Sequence, residues 1–354
     1  MERSVYSRLS QSRLARLLIC LVFGAAIAAL PPASQAAVNA PIRAFWMMRD
    51  ALESADAITR AIAAAVSDAV DTIMVPVSIG TLPPTGFDGV REMVRQARDR
   101  GLRVHAWIDV NLVAVASELP ASRDHVIYQH PEWLMVPREL APELVNVDVR
   151  SPAYFGRLAR WVRQNAARID GLYVSPLDPD AAAYLVTVVS AAVKRYGVDG
   201  VFLDSVKFPG PDFDYSRHAM DLFRGERRTA LTPSERARLD DVEAIDPFAY
   251  TEEFPDEWRA FRRSRLTALL TQLKSALVLV NPTMVLSAGV ARDPNAALAE
   301  FFQDWAGWMG TGLIDGVARR TGTSGTIVFT ADGIASIAGK PVSANQIPSA
   351  VESR

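Results

Sequence analysis

From Ile42 onward, short apolar runs alternate with longer segments in which apolar residues recur at helical spacing. That alternation is the pattern of a parallel sheet wrapped by helices. Strands are predicted at IRAFWMM (42–48), TIMVPV (72–77), LRVHAWIDV (102–110), VDGVFLD (198–204), TMVLSAGV (283–290) and GLIDGV (312–317). The helices between them carry start and stop signals. One covers 55–70. Asp88 caps the next, which ends at Gly101, a residue free to turn left-handed. A third lies at 154–167. Asp178 caps a fourth that opens on Pro179 and stops at Gly197, since proline suits the first helical turn and glycine the position after the last. Segments 258–279 and 295–309 complete the set.

Two stretches interrupt this rhythm. Excursions at 111–152 and 205–257 far exceed ordinary connections, and loops of that length are usually functional or disordered. The second contains Thr232-Pro-Ser-Glu235, a capping box that opens a short helix. TIVF (326–329) and KPV (340–342) are the candidates for strands seven and eight. A full barrel takes about 250 residues, roughly 30 per unit, yet only 37 residues (318–354) follow strand six. The pattern therefore predicts a (β/α) barrel whose last two units are abbreviated or incomplete.

Residues 1–36 stand apart. Arg3, Arg8, Arg13 and Arg16 oppose a single Glu2 and precede the apolar run LLICLVFGAAIAAL (17–30). That run is shorter than the roughly 20 helical residues a bilayer requires. With the small-residue stretch ASQAA behind it, it reads as a signal peptide cut after Ala36. Residues 37–354 then form one barrel domain of an exported protein, periplasmic or extracellular, which meets a membrane only if the leader stays uncleaved. Taking four Arg and one Glu from 38 basic and 40 acidic residues leaves 34 and 39, an acidic balance that makes nucleic acid a poor partner. Cys20, the single cysteine, lies in the leader, so the rest of the chain has no thiol for a disulfide, a nucleophile or a metal.

In a βα barrel the active site sits at the carboxyl ends of the strands. Side chains alternate along strand four, so Gly200, Phe202 and Asp204 share one face, with Asp204 at the carboxyl end beside Lys207. Asp199 lies at the other end and reads as a turn or structural acid. On strand three, His105, Trp107 and Asp109 share a face, and Asn111 follows. A carboxylate pair with an aromatic platform is what glycosidic chemistry needs. One carboxylate stabilises or attacks an oxocarbenium-like centre, and another, protonated, assists departure. Asp204 is the first candidate. Its companion is open between Asp109, Asp293 after strand five, and the excursion acids Glu132, Asp212 and Asp214. Trp46, Trp107, Trp133 and Tyr173 offer faces for sugar rings, while His105, Asn111 and Lys207 offer hydrogen bonds; His105 reads equally well as a buried core histidine. His125 and His130 do not have a zinc-ligand spacing. The chain lacks a nucleophile elbow, a phosphate loop and a dinucleotide fingerprint, so no metal or cofactor is expected. The basic, aromatic run 258–265 reads as a solvated helix face.

Several segments together carry a resemblance. GLRVHAWIDVNLV, HPEWLMVPREL, GLYVSPLDPDAAAYL, YGVDGVFLDSVKFP, FDYSRHAMDLFR, the W-x-x-FRR helix and LSAGV occur in order across 42–317, and this set resembles the bacterial glycosyl-hydrolase-like family 10 proteins. The resemblance implies a TIM-type (β/α)8 barrel acting on a cell-envelope or extracellular polysaccharide, peptidoglycan-type glycan included. It places Asp204 at the strand-four acid of the family's DG-x-H-x-D-Y pattern. Phe202 stands where that pattern has His, Ser205 where it has Tyr, and Lys207 where the family has Arg. The loop after strand two is reduced to SIGTLPPTG (78–86), and ARRTGTSGT (318–326) replaces a Pro-Met-x-Tyr stretch. Two functions follow as alternatives: a glycoside hydrolase using Asp204 and a second carboxylate, or a non-catalytic barrel that holds glycan with a degraded site.

Overall fold

The computed structural model describes residues 42–47, 49–80, 86–291, 293–318, 326–329, 336–337 and 340–341. The expected signal peptide lies outside them. Six strands run parallel and neighbour one another in chain order: β1 (Ile42–Trp46), β2 (Thr72–Pro76), β3 (Arg103–Asp109), β6 (Gly200–Asp204), β7 (Val285–Gly289) and β8 (Gly316–Ala318). Between β3 and β6 the chain makes a separate antiparallel pair, β4 (Leu112–Val115) with β5 (Gly171–Tyr173), which continues β3 beyond Asp109.

The helices begin and end where local chemistry dictates. Ser54 caps α1 (Ala55–Ser67), and Asp88 caps α2 (Gly89–Asp99), after which Gly101 turns left-handed at φ 72°. Short helices α3 (Val126–Gln129) and α4 (Ala141–Leu144) fill the first excursion, and Ser151 caps α5 (Pro152–Gln164). Asp178 accepts from two backbone N–H groups of α6 (Pro179–Tyr196), and Gly197 closes it at φ 62°. The second excursion folds as α7 (Arg217–Arg228), α8 (Pro233–Glu243, with its Thr232/Glu235 capping box) and α9 (Ala249–Glu253). It leads into α10 (Pro255–Val280).

The tail departs from the eight-unit expectation. β9 (Thr326–Phe329) pairs antiparallel with β1, β10 (Ser336–Ile337) with β9, and β11 (Lys340–Pro341) with β10. A parallel crossover needs a dozen or more residues, whereas antiparallel neighbours need only a turn, and 319–325, 330–335 and 338–339, the stretches of sequence between these strands, are each shorter than a crossover. The 295–309 helix is also two pieces, α11 (Pro294–Glu300) and α12 (Trp305–Gly310), broken where Phe302 adopts φ 58° and Asp304 starts a new cap.

The outward apolar row of the strands, including Ile73, Val75, Val104, Ala106, Ile108, Val201, Leu203 and Leu286, joins the helices in one continuous core. The inward row packs separately. Trp46 lies 4.7 Å from Trp107 and 5.0 Å from Phe202, ring centroid to centroid. Trp46 and Phe202 stand on strands three positions apart, about 14 Å in a flat sheet, so their contact reports a sheet curled around its inner face.

Candidate active site

The site grows from the register of β3 and β6. Asp109 and Asp204 are paired partners on adjacent parallel strands, each the last residue of its strand and each partly buried. Neighbouring strands lie about 4.8 Å apart and side chains at paired positions share a face, so the two carboxylates are brought together at the carboxyl end of the sheet. Trp107, two residues below Asp109 on the same face, donates its indole N–H to Asp204 Oδ2 at 3.1 Å. The backbone N–H of Ser205 donates to Asp204 Oδ1 at 2.9 Å, and the Ser205 hydroxyl donates to Asp109 Oδ1, also at 2.9 Å. Ser205 is buried and holds φ 55°. This left-handed conformation costs a residue with a β-carbon about 1–2 kcal/mol, and strained backbone of this kind gathers at functional sites.

Surrounding elements fix the pair. The Val110 N–H bonds to Asp204 O at 2.9 Å, carrying the β3–β6 pairing past the strand ends. A β-carbon added at Gly289, on β7, would sit 2.7 Å from Asp204 Oδ1 and 3.3 Å from Phe202 Cζ; only hydrogen fits there, which is one reason a strand carries glycine. Gln303, buried in the break between α11 and α12, donates to Val206 O at 2.9 Å and Gly289 O at 3.1 Å, and accepts from the Ala291 N–H at 3.1 Å. It ties the loops after β6 and β7 together behind Asp204.

Tyr173 reaches the same neighbourhood from β5. Burial pushes its hydroxyl well above the usual tyrosine range, helped by the negative charges of Asp170, Asp109 and Asp204, so it stays protonated. It hydrogen-bonds Asp170 Oδ2 at 3.0 Å, and Lys207 Nζ lies 3.6 Å from that same oxygen. Lys207 therefore meets the site through Asp170 and Tyr173.

A cavity of about 270 Å³ opens beside Asp109, lined among others by Arg49, Ser78, Trp107, Asp109, His125 and Tyr184; Asp204 does not line it and meets it through Trp107. Arg49 is held toward Ser78 Oγ at 2.9 Å. Trp133 borders this region through Tyr184, 5.5 Å away, and its other partner is His130, stacked at 3.7 Å. A larger cavity of about 650 Å³ shares Arg49 and Pro76–Gly80 but is otherwise walled by α2 and α6, where Arg195 is paired with Asp88 at 2.9 Å. Neither Asp109 nor Asp204 lines it.

Other sequence candidates fall elsewhere. His105 is fully buried in the inner row, its two ring nitrogens without a hydrogen-bond partner among the described residues. A group sealed from solvent cannot touch a sugar, so its expected binding role is corrected to a core role. Asn111, also sealed, spends its amide N–H on Val174 O at 2.9 Å and joins β3 to the segment after β5. It too is a structural residue. Asp293 is exposed and caps α11, one oxygen accepting from the Asn295 and Ala296 N–H groups at 2.8 Å each. Glu132 bonds His130 at 3.0 Å, Asp212 is exposed, and fully buried Asp214 accepts from the Val136 and Ser216 N–H groups at 2.9 and 2.8 Å. Of the open candidates for Asp204's companion, the fold brings Asp109. Sequence reading passed over Ser205 as a contact, Asp170, Gly289, Gln303 and Arg49. Gly289 ending a strand was the one local signal; the others depend on partners distant in the chain.

Comparison with known proteins places this geometry in context. The family model described as Glycosyl hydrolase-like 10 matches residues 80–351. Glycosyl hydrolase DigH of Escherichia coli is 24% identical over 247 residues, 66% of this chain and 46% of that protein. Glycosyl hydrolase YngK of Bacillus subtilis is 24% identical over 148 residues, 39% of this chain and 23% of that protein. The chain thus spans about half the length of DigH or less of such relatives. Among solved structures, the PgaB (BpsB) glycoside hydrolase domain from Bordetella bronchiseptica aligns with a TM-score of 0.46 and 12% identity, covering 78% of this chain and 73% of that one.

Proposed function

This chain belongs to the glycosyl hydrolase-like 10 family, and from that premise we propose that it hydrolyses O-glycosidic bonds of a cell-envelope or extracellular polysaccharide, with Asp204 and Asp109 as its paired carboxylates. The observation that carries the reading is their register: two acids at the ends of adjacent strands, on one face, with Asp109 lining a cavity. Their backbones stand on neighbouring strands, about 4.8 Å apart, and we read the pair as following the retaining course, in which the carboxyls stand about 5–5.5 Å apart, rather than the inverting one, at about 6.5–9.5 Å. In the retaining course one carboxylate attacks the anomeric carbon as the C–O bond breaks, and the other passes its proton to the departing oxygen. Water then cleaves the glycosyl ester, giving its proton back to the second carboxylate. Trp107 and Tyr184 supply apolar faces for the ring, and Arg49 and Ser78 supply donors for its hydroxyls.

The test is release of reducing ends from purified peptidoglycan sacculi and from extracted bacterial exopolysaccharide. Wild type should release them, and Asp204→Asn, which keeps an accepting oxygen, should abolish release with its thermal midpoint little changed. Equal release by the variant would remove Asp204 from the chemistry. Phe202, standing where the family has His and packed against Trp46, favours a second reading in which the barrel holds glycan without cleaving it. Co-sedimentation with insoluble peptidoglycan and no turnover would mark that outcome. We propose further that 1–36 is an export signal; secreted protein beginning at Ala37 would support this, and an intact leader would count against it.

A further inference from the structure

We propose that the glycan taken by this barrel is acidic, and that Arg49 binds a sugar carboxylate at the mouth of the cavity that Asp109 lines. The inference rests on the hydrolase reading and deepens it by naming the charge of the substrate.

Arg49 opens the single helical turn after β1 (Arg49–Leu52) and lines both cavities. Its side chain is exposed, and its Nη1 donates to Ser78 Oγ at 2.9 Å. Among the described residues Arg49 has no carboxylate partner, whereas Arg195, the other arginine of the larger cavity, is paired with Asp88 at 2.9 Å. The acids nearby in the chain or the larger cavity are engaged elsewhere: Asp50 accepts from the Ala51 N–H at 2.8 Å, and Asp88 caps α2 as well as pairing. Arg49 is thus a cation oriented by a neutral hydroxyl.

The chemistry of this wall favours an anion. A guanidinium carries five N–H donors in a rigid fork and no acceptor, a shape that matches a carboxylate. Because the fork is planar and preset, little freedom is lost as it binds. Ser78 accepts from Arg49, so its own proton remains to donate. His125, kept neutral by burial, accepts the Ile127 N–H on Nδ1 at 3.4 Å, which leaves its ring proton on Nε2. Guanidinium, hydroxyl and imidazole N–H therefore form a donor set around one cavity. Asp109 lines that cavity too, and Asp204 is bonded to its neighbour Trp107. Two acids repel an anionic chain, and a cation at the mouth offsets that repulsion and sets the register in which the chain lies against them.

The experiment is calorimetric binding to the full chain, carrying Asp204→Asn so that the glycan is not consumed, with Arg49 retained, Arg49→Gln or Arg49→Lys. The probes are oligosaccharides containing galacturonic acid or N-acetylmuramic acid, each also prepared with its carboxyls reduced to alcohols. With Arg49 in place, an acidic glycan should bind about tenfold more tightly than its reduced form, the worth of one exposed charge-assisted contact. That gap should shrink with added salt, close in Arg49→Gln and persist in part in Arg49→Lys, which keeps the charge without the fork. A larger gap for the galacturonate would put the recognised acid at C6 of the ring, and a larger gap for the muramic chain would put it on a lactyl ether; either supports the inference. Equal affinity for acidic and reduced forms would overturn it. So would an Arg49→Gln loss that is the same for both, because an arginine that serves only hydroxyls or the fold does not read the carboxyl. Cleavage by wild type without this discrimination would defeat the inference alone. Discrimination without cleavage would defeat the hydrolase reading and leave the role of Arg49 standing.

Discussion

Replacing His105 tests how the inner face of the sheet was built. The imidazole is fully buried, and burial pushes its pKa from 6.5 down to about 3, with positive Arg103 adding to the effect and Asp71 opposing it. A β-carbon at Gly200 would stand 2.5 Å from Nε2, so the ring occupies space the neighbouring strand leaves open. Between about pH 3 and pH 6.5 the unfolded chain binds a proton that the folded chain refuses, so stability falls as pH falls through that window. Each unit below 6.5 costs about 1.4 kcal/mol, which gives about 2 kcal/mol lost between pH 7 and pH 5. His105→Met keeps similar volume in a flexible side chain and removes two nitrogens that have no hydrogen-bond partner among the described residues, so at pH 7 it should be neutral or stabilising. Urea denaturation at pH 7 and pH 5 reads the difference, with His125 and His218 unchanged in both proteins. Wild type should lose about 2 kcal/mol more than His105→Met across that interval. Equal losses would refute the claim that a neutral imidazole sits in this core.

Two more substitutions probe the site and its frame. Gly289→Ala puts a methyl group 2.7 Å from Asp204 Oδ1, where ordinary contact begins near 3.4 Å. The carboxylate must withdraw, and displacements approaching 1 Å cost of order 10²-fold in rate; reducing-end release should fall by tens- to a hundredfold while the thermal midpoint drops only modestly, and an unchanged rate would show the carboxylate has room. His218→Gln should lower the melting temperature at pH 5 but not at pH 8.5. His218 lies 3.0 Å from Asp178 Oδ2, and that contact raises its pKa, so its contribution is present below the unfolded value and lost as pH rises through the folded one; the same shift at both pH values would contradict this.

The sequence by itself determined the pieces whose causes lie within a few residues. Ser54, Asp88, Asp178 and Thr232 start helices because their side chains meet N–H groups two or three residues on, and Gly101 and Gly197 stop them because the backbone there turns left-handed. Alternation placed Asp109 and Asp204 on the inner face at strand ends. Tertiary structure alone decided the rest. Ser205 meets Asp109 across 96 positions and Trp107 meets Asp204 across 97, contacts set by which strands pair and in which register. The same holds for Gln303 behind the site, for the sealing of His105 and Asn111, and for β9, which entered the sheet antiparallel. Propensity acts between neighbours, whereas a catalytic pair is a distance between strands, and that distance exists only once the sheet has chosen its order.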